Sequence, residues 1–415
     1  MKPYDAAREQ YQNSGIDTEA ALAKMREISL SIHCWQGDDV MGFEGADSLT
    51  GGILATGNFP GRARNAEELR ADFQTAYRLI PGMHRLNLHA MYLETGGKRI
   101  DRDALEPEHF AGWIDWARSL GIALDFNPTF FSHPNSSQGF TLAHWDPSIR
   151  KFWIEHGKRS RRIAEEIGRK LGKPCINNFW IPDGWKDLPA DRLGPRERLL
   201  KALDEIFAEK SDPNFSLDAV ECKLFGIGSE AYVVGSHEFY LAYALSRGLL
   251  LTLDAGHFHP TETIADKISA LLPFFPRLLL HVSRPMRWDS DHVVLFDGET
   301  QAIMKEIHRA HAWNNVYIAL DFFDASINRI AAWVLGSRNT LKAILYALLE
   351  PVKQIREAEQ EGRLADRLAW QEEAKTFPFG DVWNEYCRRE DVPEGISWLK
   401  DIREYEQKVL LNRGG

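Results

Sequence analysis

The chain has 415 residues, of which 44% are apolar and 27% are charged, and its formal net charge is −10. This composition is ordinary for a globular protein of one to three domains. The acidic balance argues against a nucleic acid as the main partner, because phosphate backbones are bound by basic surfaces. It is compatible with a neutral substrate, and with divalent cations wherever carboxylates cluster.

Cysteine spacing and hydropathy exclude two further classes of protein. The four cysteines are far apart and form no Cys-x-x-Cys pair, so they predict neither a disulfide framework nor a zinc knuckle. The N-terminal stretch is charged where a secretion signal has an apolar core. The most apolar stretch, from Ile268 to Val282, contains two prolines and an arginine and cannot span a membrane. We therefore expect a cytoplasmic protein with no membrane partner.

Strand and helix patterns alternate along most of the chain. The first 27 residues are predicted to be helical, and a Gly-rich stretch from Gly37 to Gly61 is predicted to be a long loop, which in compact domains is often functional. Eight runs have strand patterns: 28–35, 85–89, 122–128, 175–181, 217–225, 249–254, 277–283 and 315–322. The helical patterns that follow them in turn are 65–80, 107–119, 148–171, 195–209, 236–247, 262–272, 298–312 and 327–357. A last helical stretch, 364–412, is interrupted near Pro378 and Pro393.

Strict alternation of strands and helices predicts parallel strands joined by right-handed crossovers. Eight such units are the number that closes a (β/α)8 or TIM barrel. An open doubly wound sheet would carry a Gly-rich phosphate turn after its first strand, and here that strand runs into His-Cys-Trp-Gln-Gly-Asp-Asp. We predict a catalytic barrel domain at 1–340, including the N-terminal helix, and a C-terminal helical extension at 341–415 that packs on the barrel and at subunit contacts.

The fifth to eighth predicted strands each deliver a carboxylate or an imidazole. These residues are Glu221, Asp254, His281 and Asp321. The C-terminal strand ends of a barrel meet at one rim, where its active site lies. Singly, each carboxylate would most simply belong to a salt bridge, but buried together they would repel one another without a cation. The group therefore predicts a metal site, and oxygen-rich ligation with one histidine suits Mn²⁺, Mg²⁺ or Co²⁺ better than structural zinc.

A second group of potential ligands follows the sixth and seventh strands. It comprises His257 and the Asp-x-Asp pair Asp289 and Asp291. Such a pair is usually a solvated turn or a helix cap, but its position beside the first group favours a second ion, and two neighbouring ions are a known catalytic arrangement. Lys223 lies two residues after Glu221, so on a strand both would face the same side. It either pairs with a carboxylate or donates to a substrate oxygen.

Several long segments closely resemble L-rhamnose isomerases. They include Leu-Asp-Ala-Gly-His-Phe-His-Pro-Thr-Glu at 253–262, and segments 31–40, 85–90, 281–285, 287–294 and 320–329. The resemblance implies a (β/α)8 barrel, a cytoplasmic homotetramer and interconversion of L-rhamnose with L-rhamnulose. It also implies two divalent ions per subunit, usually Mn²⁺, with Co²⁺, Mg²⁺ or Zn²⁺ as substitutes.

By position, the same resemblance implies a role for each candidate residue. The ligands of a tightly held ion would be Glu221, Asp254, His281 and Asp321, and those of a mobile, catalytic ion would be His257, Asp289 and Asp291. The residues of the substrate pocket would be Trp180, Lys223 and His89, with Phe59 reaching in from a neighbouring subunit. Without the resemblance, Trp180 would most simply be a core residue. Lys223, Asp321 and His89 are expected to act in catalysis.

Isomerisation of an aldose moves a hydrogen between C1 and C2 and a proton between O1 and O2. Every inward carboxylate is claimed as a metal ligand, so none remains as a base at C2, and only His89 is left over. We therefore expect a metal-assisted hydride shift rather than an enediolate route. A metal-dependent hydrolase or phosphodiesterase is a weaker alternative, because only Lys223 and Arg284 are available for phosphate. A non-catalytic sugar-binding protein would not need a second metal.

Overall fold

The computed structural model describes residues 2–44, 55–225, 228–259, 261–284, 286 and 290–413. Within these ranges, eight parallel strands form a closed barrel. The strands, β1 to β8, are Leu30–His33, Arg85–His89, Ala123–Asn127, Cys175–Trp180, Ser216–Glu221, Leu250–Asp254, Leu278–Val282 and Val316–Leu320. Each pairs with the next along the chain, and β1 pairs with β8 to close the barrel. The predicted (β/α)8 barrel is therefore confirmed.

One α-helix follows each strand, and others precede and extend the barrel. The α-helices, α1 to α14, are Pro3–Asn13, Thr18–Met25, Ala66–Tyr77, Ala111–Leu120, Pro147–Leu171, Leu193–Ile206, His237–Arg247, Ile264–Leu271, Gly298–Arg309, Arg329–Leu348, Val352–Gln360, Leu364–Glu373, Phe379–Arg389 and Leu399–Lys408. Short 3-10 helices lie at Cys34–Gly37, Ala90–Tyr92, Arg102–Ala104, Pro107–Phe110, Pro134–Ser136, Ala374–Thr376 and Leu410–Asn412. An antiparallel ribbon of Gly184–Trp185 with Tyr232–Val233 was not predicted, because two-residue strands carry no periodicity.

The helices begin and end at residues with recognisable capping chemistry. The N-cap residues whose side chains accept a hydrogen bond from the first turn of their α-helix are Asp17, Asn65, Asp146, Asp297 and Asn328. The glycines that end a helix in the left-handed conformation are Gly121, Gly172 and Gly248. Each of these ends leads into a strand, so local sequence sets where the alternating units begin and stop.

The main departures from the predicted elements concern two helices, which are divided, and two strands, which end early. The helix predicted over the first 27 residues divides into α1 and α2, because Asp17 caps a new helix. The helix predicted at 327–357 divides at Pro351, which cannot continue the hydrogen bonding of α10. The first strand gives way to a 3-10 helix at Cys34, and β5 ends at Glu221 rather than at 225. Beyond Glu221 the chain turns towards the antiparallel ribbon, where Lys223 N–H bonds the carbonyl of Gly235 at 3.3 Å.

The interior of the barrel changes character along its axis. Its middle is filled by the inward side chains Ile176, Leu217, Ala219, Leu250, Leu279 and Ala319. At the N-terminal end, Arg85 donates to both oxygens of Asp125, at 2.6 and 2.8 Å, in a partly buried ion pair. At the C-terminal end, the inward positions carry carboxylates, imidazoles and amides. The apolar middle therefore separates a structural ion pair from the polar rim.

The C-terminal helices pack back onto the first half of the chain. Arg413 donates to both oxygens of the buried Asp72 on α3, at 2.6 and 2.7 Å, and to the carbonyl of Gly61. Arg389 on α13 pairs with Glu19 on α2 at 2.6 Å. Division of the chain into two units at residue 340 stays a prediction, and α10 runs through that position. Within the described ranges, every helix is too short or too polar to cross a membrane.

Candidate metal centre

Four polar side chains converge at the C-terminal ends of β5 to β8. Glu221 and Asp254 end their strands, His281 is the last residue but one of β7, and Asp321 directly follows β8. The parallel register sets Asp254 beside His281. One ligand atom from each of the four lies within 4.8 Å of the others. Glu221, Asp254 and His281 are buried, whereas the side chain of Asp321 is 21% exposed.

Each of the three carboxylates turns one oxygen towards the same imidazole nitrogen. His281 Nδ1 lies 3.5 Å from Glu221 Oε1, 3.5 Å from Asp254 Oδ2 and 3.3 Å from Asp321 Oδ2. The second oxygen of each carboxylate accepts a hydrogen bond from the protein. Asn178 Nδ2 donates to Glu221 at 2.5 Å. The N–H of Gly256 donates to Asp254 at 2.6 Å, and Trp35 Nε1 donates to Asp321 at 3.0 Å. The protein therefore fixes the outer oxygens and leaves the inner ones facing a common point.

This donor set fits a divalent metal ion. Among the described residues, the inner oxygens of Glu221 and Asp254 and both ring nitrogens of His281 have no hydrogen-bond partner. Buried oxygens and nitrogens in that state are costly unless something else satisfies them. A cation bound between three carboxylates and one imidazole would do so, and this oxygen-rich set with one nitrogen suits Mn²⁺ or Mg²⁺.

The pKa values in the cluster follow from burial and mutual charge. Burial would raise the pKa of Glu221, but the charge of His281 and a contact with His257 hold it well below its usual value. Burial would lower the pKa of His281, but Glu221 and then Asp254 and Asp321 raise it well above its usual value. Burial also raises the pKa of Asp254. Three carboxylates therefore demand a positive charge between them, which a proton on His281 or a divalent cation can supply.

Two of the three residues predicted to hold a second ion lie beside this cluster. His257 is buried, and its Nδ1 lies 3.1 Å from Glu221 Oε1. Asp291 borders the same pocket from the loop after β7, in a left-handed conformation with φ 41°. Asp289 lies outside the described residues. The number of ions and the assignment of ligands to each stay predictions.

The cluster lies at one side of a pocket. Its remaining lining residues are Trp35, Val40, His89, Asn127, Phe131, Asn178, Trp180 and Phe323. The Trp180 ring stacks on the His257 ring at 6.4 Å between centroids. Lys223 Nζ lies 5.2 Å from the centre of the Trp180 ring. Lys223 is beyond the end of β5, not on the strand as predicted, yet it is buried. Aromatic faces and a few convergent polar groups are typical of a small-molecule site.

His89 lies on the opposite side of the pocket from the carboxylates on β5 and β6. Its Nδ1 is 3.2 Å from Thr129 Oγ1, and its ring packs edge-on against Trp35 and Phe131. Burial lowers the pKa of His89 to about 3, so its imidazole is neutral at physiological pH. Phe59 is not among the described residues that line the pocket of its own chain. Its predicted role at a neighbouring subunit stays a prediction.

Val40, Phe131 and Phe323 are among the lining residues that were not singled out from the sequence. Val40 and the preceding Asp39 have φ near +60°, which is unusual for residues with a Cβ and especially for a β-branched one. Arg329 holds this turn by two hydrogen bonds of 2.7 Å to the Asp39 carboxylate. A strained turn has no sequence period, whereas Phe131 and Phe323 could have been found as aromatic residues just past strand ends.

Comparison with known proteins identifies close relatives along the whole chain. The sequence model of the L-rhamnose isomerase (RhaA) family matches residues 1–413. The L-rhamnose isomerase of Rhodopirellula baltica is 60% identical over 413 residues, which cover 99% of this chain and 96% of the relative. Those of Escherichia coli O6:H1 and Salmonella agona are each 58% identical, with 99% of this chain and 98% of the relative covered.

Proposed function

The chain belongs to the L-rhamnose isomerase family and is an enzyme of that kind, and we propose that it interconverts L-rhamnose and L-rhamnulose with two divalent ions, Mn²⁺ foremost. The observation that carries the metal requirement is the convergence of four ligand atoms within 4.8 Å of one another beside an aromatic pocket. The sugar substrate is inferred from the family, and the need for a cation is inferred from the cluster.

The first ion would be held by the inner atoms of Glu221, Asp254, His281 and Asp321. The second would be held by His257, Asp289 and Asp291. When bound, such ions polarise a carbonyl oxygen and acidify a neighbouring hydroxyl. Asn178, Gly256 and Trp35 keep the outer carboxylate oxygens occupied. The ligands are therefore oriented before any ion arrives, which lowers the cost of binding it.

The rest of the pocket suits a 6-deoxy sugar. Lys223 and neutral His89 can exchange hydrogen bonds with sugar oxygens, and Trp180 offers a ring face to the carbon skeleton. Val40 and Phe323 add apolar surface, which is compatible with the methyl group at C6 of L-rhamnose. Apart from Lys223, which lies against the lining residue Trp180, no lysine or arginine among the described residues is placed at the pocket. This absence disfavours the alternative of a phosphodiesterase, whose substrate needs several cationic partners.

The metal requirement is tested by chelation. Exhaustive chelation should abolish turnover of L-rhamnose to ketose, and Mn²⁺ or Co²⁺ should restore it, because the donors are hard oxygens and imidazole nitrogens. Elemental analysis of the stripped protein is the control. Full turnover by a preparation that contains no detectable metal would contradict the proposal.

We also propose that the hydrogen moves directly between C2 and C1 as a hydride. The route through an enediolate needs a base near the C2 hydrogen, and the inward carboxylates at this rim belong to the proposed ligand set. His89 is the remaining candidate, and with its pKa lowered to about 3 it would be a weak base. C2-deuterated L-rhamnose turned over in ordinary water should keep most of its deuterium at C1, as read by NMR of the product. Complete exchange with solvent in one turnover would contradict the shift and favour His89 as the base.

We further propose a cytoplasmic homotetramer in which Phe59 closes the pocket of a neighbouring subunit. Phe59 is held in place by its backbone, which bonds Ala325 and Arg329 at 2.8 and 2.7 Å, so its half-buried ring remains available to a partner. Analytical ultracentrifugation should give four subunits. Phe59→Ala should raise the KM for L-rhamnose while the tetramer persists. An active monomer, or an unchanged KM, would contradict this arrangement.

A further inference from the structure

Behind the candidate metal centre, two polar side chains interrupt the apolar interior of the barrel. Asn178 on β4 donates from Nδ2 to Glu221 Oε2 at 2.5 Å, and its Oδ1 accepts from Thr252 Oγ1 at 2.7 Å. Asn178 is 2% exposed and Thr252 is fully buried. Along the strands they lie one inward position before the rim, next to the apolar layer that contains Ala219 and Leu250.

The direction of these hydrogen bonds is determined by Glu221. An ionised Glu221 can only accept, so the amide nitrogen of Asn178 must face it and the amide oxygen must face Thr252. The hydroxyl of Thr252 must then donate its one hydrogen to that oxygen. A flipped amide would set its oxygen against the carboxylate, and neither of these groups has a hydrogen to donate. The series of hydrogen bonds from Thr252 through Asn178 to Glu221 therefore has a single arrangement that satisfies all three side chains.

This arrangement has a consequence for the two oxygens of Glu221. The bond from Asn178 occupies Oε2, whereas Oε1 faces His281 and has no hydrogen-bond partner among the described residues. We propose that Asn178 and Thr252 are positioning residues that orient Glu221 as a metal ligand, so that Oε1 is presented to the ion and Oε2 is withheld from it. The inference rests on the proposed function, because it requires Glu221 to bind a metal.

A purely structural role would not require this polar chain. Apolar residues fill the adjoining layer of the interior, and burying polar groups there costs free energy that a hydrophobic pair would not. Thr252 is also not among the described residues that line the pocket, so its substitution can alter the metal centre only through Asn178 or the packing around it.

Mn²⁺ affinity tests the proposal without recourse to activity. The protein would be stripped by chelation and titrated with Mn²⁺, with the free ion measured by electron paramagnetic resonance. Thr252→Val keeps the shape of the side chain and removes its donor, whereas Thr252→Ser keeps the donor and is the matched control. Loss of a hydrogen bond to a metal ligand typically weakens metal binding about 10- to 100-fold. We expect at least ~10-fold weaker binding of the tighter ion by Asn178→Leu, which removes that bond. We expect about 3- to 10-fold weaker binding by Thr252→Val, which acts one step further out, and a change of less than ~3-fold for Thr252→Ser.

Melting temperatures of the metal-free variants separate positioning from simple loss of stability. A merely structural role would lower the melting temperature of Thr252→Val without weakening its Mn²⁺ binding, and that result would overturn the inference. Thr252→Val and Asn178→Leu each test the hydrogen bonds to Glu221 independently, so failure of one variant to fold does not remove the test. If the unmodified protein itself binds no Mn²⁺, the proposed metal requirement fails and this inference fails with it. Unaltered affinity in the variants beside a metal-binding parent overturns the inference alone.

Discussion

Protonation of His156 in acid should destabilise the wall of the pocket. His156 is fully buried on α5, and its Nε2 accepts from Thr129 N–H at 2.9 Å while its Nδ1 contacts the carbonyl of Arg102 at 3.1 Å. One ring nitrogen must therefore accept and the other must donate, which is the neutral imidazole. Burial, helped by the charge of Arg102, lowers the pKa of His156 to about 3. A second proton would face the N–H of Thr129, whose hydroxyl contacts His89.

The magnitude follows from proton linkage. An unfolded histidine has a pKa of about 6.5, so between about pH 6.5 and pH 3 the unfolded chain holds a proton at His156 that the folded protein does not. The stabilisation that neutral His156 adds to the free energy of unfolding is complete above about pH 6.5. As the pH falls below about 6.5, this stabilisation is lost at about 1.4 kcal/mol per pH unit. Between pH 6.5 and pH 4.5 the loss is about 2.7 kcal/mol.

Urea unfolding of the metal-free protein at pH 7.5 and pH 4.5 measures this loss. Fluorescence and circular dichroism should give coincident transitions, so that a free energy of unfolding is defined. His156→Gln cannot titrate, so the stability of the parent relative to this variant should fall by about 2.7 kcal/mol at the lower pH. Ile163→Val, a buried change on the same helix, should instead shift stability by about 1 kcal/mol at both pH values. Equal differences between the parent and His156→Gln at pH 7.5 and pH 4.5 would refute the reasoning.

Three further outcomes are expected from substitutions. Arg413→Met should lower the free energy of unfolding by about 3–5 kcal/mol, because it leaves the Asp72 carboxylate buried without its ion-pair partner. Adding Asp72→Asn should recover part of that loss, and no recovery would contradict the pairing argument. Asp254→Ala should lower both activity and melting temperature, whereas His257→Asn should lower activity with a smaller loss of melting temperature; equal melting losses would contradict a fixed and a mobile ion. Gly57→Ala should lower the free energy of unfolding by about 1–3 kcal/mol or more, because φ is 118° and a Cβ would lie 2.2 Å from the backbone of Ala325. An unchanged melting temperature would contradict this and show that the facing loop moves at little cost.

The barrel could be predicted because each unit is specified locally. Buried parallel strands such as Leu278–Val282 read as continuous apolar runs, and left-handed glycines such as Gly172 mark where helices end. The convergence of Glu221, Asp254 and His281 also followed from the sequence. Parallel strands in register place their C-terminal ends at one rim, so residues at those ends must meet.

The contacts that orient these residues could not be predicted. Thr252 and Asn178 are 74 residues apart, and neither has a local pattern that differs from an ordinary polar position in a strand. Trp35 was predicted to lie on the first strand, yet it reaches Asp321 from a 3-10 helix that follows that strand. Hydrogen bonds of this kind depend on the stagger of neighbouring strands and on side-chain rotamers, and neither is encoded by periodicity.

The pairing of Arg413 with Asp72 bears on how the protein is made. The two residues are separated by 341 positions, and β1 likewise waits for β8 before the barrel can close. At a synthesis rate of about 5–20 residues per second, Asp72 would leave the ribosome roughly 20 to 70 s before its partner exists. During that interval the nascent chain carries an open sheet edge and an uncompensated carboxylate on α3. Strand edges in that state invite pairing with other chains, so the early strands are exposed to such pairing until β8 has been made.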